Sequence, residues 1–210
     1  MVSTGPNTLW TSTWGGFARI LPFIEGGAIA NAINLNAPYG DPGNMTGTSQ
    51  TIAFSELLVS TPSADNTKRA NGVTGAPDSD TYRRLDGSLQ VNIAGTLAGL
   101  QACTTAFQGG SNISNLTGRK WMWGNMSFNL FNTIVPPNSK VYRWGSCRYG
   151  CGGCNPDDSS FANASSNHSG NVQVLMSDGS VRSIKDSITM QIWMVLGTVA
   201  NGETVSSDSY

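Results

Sequence analysis

Apolar and polar residues alternate near the C-terminus, where Val172, Val174 and Met176 recur at a period of two, the signature of a strand. Asp178-Gly179 follows, a dipeptide suited to a two-residue hairpin turn in which both central positions need positive φ. That turn predicts Met176 opposite Val181, with Leu175 and Ile184 on the second face, and hence a hairpin covered on both sides inside a larger sheet. Helical steps appear twice upstream. Ile24, Ala28, Ile29, Ala32 and Ile33 predict a helix from Pro22 to about Asn34. Ile93, Leu97, Leu100 and Phe107 predict another, capped by Asn92 and ended by Gly109-Gly110. Thr51 to Val59 reads as a buried strand in which Glu56 is out of character. Lys120 to Val135 alternates well enough to predict one or two strands closed by Pro136-Pro137. Ile188 to Leu196 predicts a short helix, Asn36 to Gly47 a loop, and Ser60 to Asp86 a long polar excursion over the surface.

Strands mixed with helices, without regular alternation, predict an α+β fold: an antiparallel sheet with packed helices and many loops. At 210 residues the chain fits one domain spanning 1–210 and can bury about 70% of its unfolded surface. Only 12% of residues are charged, yet 39% are hydrophobic, too many for a disordered chain. Twelve basic and thirteen acidic residues without any block of like charge leave no electrostatic footprint for nucleic acid. The longest weakly polar run, Ile188 to Ala200, is broken by Gln191 and Gly197 and falls short of the roughly 20 residues of a membrane span.

Candidate chemistry is sparse. Cys147, Cys151 and Cys154 are spaced C-x3-C-x2-C, and His168 follows, formally a Cys3His zinc set. Asp157 and Asp158 lie among hydroxyls in one loop, which offers calcium its oxygen ligands but equally suits an Asx turn. His168 is the sole histidine. A Cys-His pair with a free thiol is conceivable, but no P-loop, G-x-S-x-G or H-E-x-x-H string accompanies it. The reading adopted is that of a non-enzyme without a cofactor. In it His168 bonds backbone at the hairpin base and Asp178-Gly179 makes the turn. Exposed Trp10, Trp14, Trp121, Trp123 and Trp144 would suit a rival role, a binding module for glycan or protein.

The nine residues separating His168 from Asp178-Gly179 form an H-x9-DG motif. Together with Ser183 to Ile188, Trp193, Leu196-Gly197-Thr198 and the tail to Tyr210, it resembles a pilin-like, pseudopilin-like bacterial secretory family, domain of unknown function 1559. Leu21 to Glu25, Asn31 to Asn34, Thr51 to Glu56, Phe131 to Ser139 and the cysteine cluster extend the likeness over most of the chain. The resemblance implies a pilin-like globular head in the periplasm, at the cell surface or outside the cell. Its partners would be other pilin-like subunits or type II secretion machinery in a filament. Family members normally open with a leader and a long apolar helix, whereas this chain opens Met1-Val-Ser-Thr-Gly-Pro6, so the polymerising helix is expected to be missing. The segment around Tyr39 to Thr48 is shortened too. An oxidising compartment favours disulfides over zinc, with Cys103 bridged to one of the three cluster cysteines and the other two joined.

Overall fold

The computed structural model describes residues 50–79 and 93–198. The expected helix from Pro22 to Asn34, the opening tryptophans, the loop at 36–47, the cap at Asn92 and the tail from 202 lie outside the described residues.

Among the described residues, two small sheets each carry one helix. The first is wholly antiparallel, in the order β1-β6-β7: β1 is Ile52–Ser55, β6 Asn171–Met176 and β7 Val181–Lys185. The second is mixed, in the order β3-β2-β4-β5: β2 is Gly72–Ala76, β3 Ile113–Ser114, β4 Ser146–Tyr149 and β5 Phe161–Ala162. Its central pair, β2 and β4, runs parallel, a departure from the all-antiparallel expectation within the same α+β class. Helix α1, Ile93–Gln108, packs on β2 and β4. Helix α2, Met190–Val195, opens on Thr189, whose Oγ1 accepts the Ile192 amide at 3.3 Å, an N-cap bond. Its Trp193 enters the core behind the first sheet.

Each sheet has its own apolar cluster. Ile52, Val172, Val174, Met176, Ile184 and Trp193 fill that of the first sheet, and Val73, Leu100, Phe107, Trp144 and Phe161 that of the second. Trp144 is 2% exposed and donates its Nε1–H to Thr104 Oγ1 at 3.2 Å, which removes it from the candidate binding aromatics.

Five further expectations are corrected. In the hairpin, Leu175 rather than Met176 faces Val181. Gly179 alone has positive φ there, +87°, and its amide bonds Met176 O while the Met176 amide bonds Ser180 O. The loop is therefore three residues, Ser177 to Gly179, with glycine at the left-handed position. One residue of slip moves Ile184 onto the core face opposite Val172 and leaves Val181 68% exposed, because side chains alternate with a period of two. The hairpin is thus covered on one face.

The polar excursion from Ser60 contains the central strand β2, Gly-Val-Thr-Gly-Ala, which is almost wholly buried. Lys120 to Val135 forms no strand; a single bridge, Met126 to Leu130, interrupts an irregular loop. On α1, Ile93 and Leu97 are 41% and 43% exposed, while Gly95, Thr96, Gly99, Leu100, Cys103, Thr104 and Phe107 are buried. Small residues on that face let the helix axis approach the sheet. The expected strand Thr51–Val59 is also shorter, ending at Ser55 with Val59 exposed.

Candidate functional site

The H-x9-DG spacing measures the first strand of the hairpin. Nine residues comprise Ser169-Gly170, the six of β6, and Ser177, so His168 stands at the base and Asp178 at the tip. At about 3.3 Å per strand residue the two are about 20 Å apart and share no chemistry.

At the base, Glu56 explains its odd place in an apolar strand. One carboxylate oxygen, Oε2, accepts the Gln173 amide at 2.8 Å, and the other, Oε1, lies 3.0 Å from His168 Nε2. The Glu56 backbone continues the same seam, its amide donating to Gln173 O and its carbonyl accepting from the Ser165 amide at 3.0 Å. His168 is held from behind by its own amide, which donates to Ser166 Oγ at 3.1 Å. The ring therefore pairs with a carboxylate, not with backbone as expected. Its side chain is 55% exposed and that of Glu56 34%, and an exposed pair of this kind is worth little. His168→Ala is expected to cost no more than about 1 kcal/mol in urea unfolding. A loss several times larger would make the pair a principal fold contact.

A second polar node, anchored by Asn138, lies beside the first. Asn138 Oδ1 accepts from Arg69 Nη1 at 2.9 Å and from the Ser166 amide at 2.8 Å. Its Nδ2 donates to Asp186 Oδ1 at 2.8 Å and to Asn171 O at 3.2 Å. This uses the whole capacity of one amide, at a residue with φ +51°, which asparagine tolerates better than most. Arg69 also donates to Ser166 O and to Asn167 Oδ1. Segments remote in sequence, 69, 138, 166–171 and 186, are thereby joined. The cavity among Arg69, Asn138, Tyr142, Trp144 and Asn163 is about 20 Å³, room for one water and far below the roughly 300 Å³ of small-molecule sites. Along the outer face of α1 a groove of about 450 Å³ is lined by Pro77, Ala98, Gln101, Ala102, Thr105 and Ala106 and offers no titratable group.

At the tip, the Asp178 carboxylate accepts from the Ser180 amide at 2.8 Å and the Ser180 hydroxyl at 2.7 Å. The Ser180 hydroxyl first, then its amide, holds this carboxyl below its ordinary value of 3.8. A depressed carboxylate stabilises the fold above its unfolded value, and that contribution is lost as pH falls through the folded one. An NMR titration of Asp178 is expected to give a midpoint below 3.8, and Ser180→Ala to move it upward; an unmoved midpoint would leave the turn bonds without electrostatic weight.

The cysteines pair as Cys103–Cys147 and Cys151–Cys154, and none is left free. Asp157 and Asp158 face a guanidinium. Arg148 Nη1 lies 2.7 Å from Asp157, Nη2 3.6 Å from Asp158, and Nη1 also donates to Asn155 O at 2.7 Å. Among the described residues no three His, Cys, Asp or Glu side chains gather as a metal site would require. In the loop between β3 and β4, Trp121, Met122 and Trp123 are 61%, 73% and 51% exposed. Lys120 Nζ sits 4.2 Å from the Trp123 ring centre, a cation–π contact.

Sequence reasoning missed Arg69 and Asn138, whose partners are all distant. Glu56 did carry a signal, as a carboxylate within an apolar strand. The family model described as Protein of unknown function (DUF1559) matches residues 45–191. No curated protein matches the chain, and no solved structure does.

Proposed function

The chain belongs to the DUF1559 family of proteins of unknown function, and from that premise we propose that it is the structural head of a pilin-like exported subunit, acting at the cell surface or in the periplasm with other subunits or secretion machinery. The observation that carries this reading is how the motif is spent. His168 fastens the hairpin base to Glu56 and Asp178 closes its tip, so both serve architecture. The two disulfides fit an oxidising, secreted setting. Among the described residues no helix is long and apolar enough to cross a membrane. Catalysis is not part of the proposal, and neither zinc nor calcium is assigned a role in it.

The test uses the native producing cells, probed with antibody against the head. The antigen is expected in periplasmic or sheared surface material, on filaments by immunogold electron microscopy. Antigen confined to the cytosol with reduced cysteines would overturn the reading. One observation favours a second reading, a glycan- or protein-binding module: the exposed Trp121-Met122-Trp123 tip. Aromatic faces of that kind hold sugars or protein side chains. A glycan array separates the two, since specific binding lost in Trp121→Ala/Trp123→Ala supports the module.

A further inference from the structure

The two disulfides lie in opposite settings. Cys103 and Cys147 are both fully buried between α1 and β4, where a thiolate reaches sulfur only if the helix leaves the sheet. Cys151 and Cys154 lie in the loop after β4; Cys151, Gly152 and Gly153 are exposed and Cys154 is half-buried. A Cβ added at Gly153 would meet nothing within 4 Å, while the Asn112 side chain lies against Gly152. The loop is also held by bonds that do not involve sulfur. The Gly150 amide donates to Ala76 O at 2.9 Å and the Gly153 amide to Thr74 Oγ1 at 3.2 Å. A Cβ on Gly75 would lie 2.7 Å from Gly152 Cα, so the loop is seated directly on β2. These contacts keep the loop in place whether or not the bridge is closed.

We propose that Cys151–Cys154 is a thiol–disulfide exchange site, which reacts with the thiolate of a small thiol or of a protein dithiol. It depends on exposure and loop anchoring alone, not on a filament role. The incoming thiolate attacks Sγ of Cys151, the more exposed of the two residues. A bond forms between the partner's sulfur and Cys151, the Cys151–Cys154 bond breaks, and its electron pair leaves on Cys154 as thiolate, which takes a proton from water. A second partner thiolate then attacks the partner's sulfur in the mixed disulfide and releases Cys151. In balance, two partner thiols become one disulfide and the bridge gains two electrons and two protons. The reverse reaction oxidises a partner dithiol.

The experiment takes the oxidised full chain through graded glutathione redox buffers, alkylates free thiols and maps them by peptide mass spectrometry. Cys151 and Cys154 are expected to become alkylated while Cys103–Cys147 stays closed and the circular dichroism is unchanged. In Cys154→Ala, Cys151 is expected to be isolated as a mixed disulfide. One arm offers glutathione disulfide and the other a protein dithiol in its disulfide form, so that the Cys151 thiolate displaces one partner sulfur as thiolate and the adduct identifies which thiol class reacts. Joint opening of both bridges with loss of fold overturns the proposal. So does a Cys151–Cys154 bridge that resists every buffer, or a folded Cys154→Ala variant that captures neither thiol.

Discussion

Cys103→Ala/Cys147→Ala is expected to lower stability by about 4 kcal/mol, the chain-entropy value for a loop of this size, and the thermal midpoint by about 12 °C. The bridge spans 44 residues and ties α1 to the central strand β4. Without it the unfolded chain regains the freedom of the segment from Cys103 to Cys147. Cys151→Ala/Cys154→Ala removes a bridge of sequence separation 3, for which the same relation gives only about 2 kcal/mol. Calorimetry on both variants checks the order. Equal losses, or a larger loss from the small loop, would show that chain entropy does not govern these bridges.

Gly145→Ala is expected to cost about 3 kcal/mol, at the upper end for overpacking. An added Cβ would stand 2.6 Å from Ala70 O and 3.0 Å from its carbonyl carbon, backbone atoms that cannot rotate aside. The glycine cannot shift either, because its amide donates to Asn71 O at 2.7 Å and its carbonyl accepts from the Asn163 amide at 2.9 Å. It pins the segment before β2 to the run leaving β5, so strain there loosens the second sheet. Gly109→Ala is the comparison: its nearest contact is 3.4 Å, at the end of α1, and alanine there should be neutral or stabilising by up to about 1 kcal/mol. Urea unfolding of both decides the matter, and a Gly145→Ala loss no larger than that of Gly109→Ala would mean the close approach is relaxed in solution.

What the sequence determined by itself is local. The alternation of Val172, Val174 and Met176 gave β6 its core face, and all three are buried. Gly109-Gly110 ended α1, with Gly110 at φ +73°, and Ile188 to Leu196 contained α2. Each rests on bonds between residues a few positions apart, so propensity and period suffice. The even cysteine count and the oxidising compartment were enough to join Cys103 to the cluster, while Cys147 as its partner had to await the packing of α1 on β4.

Tertiary structure alone decided the rest. Gly72-Val-Thr-Gly-Ala76 has little intrinsic strand preference, and it became a central strand because Gly72 admits the Ser146 backbone, whose oxygen would lie 2.9 Å from an added Cβ. Ile93 and Leu97 turned outward because the small face of α1 fits closer to β2 and β4. Alternation in Lys120 to Val135 produced no ladder, since a strand exists only where a neighbour takes its backbone bonds. The pairing of Glu56 with His168 joins positions 112 apart, and Asn138 gathers partners up to 69 residues away. No local pattern encodes such meetings, because they follow from which loops the two sheets bring together.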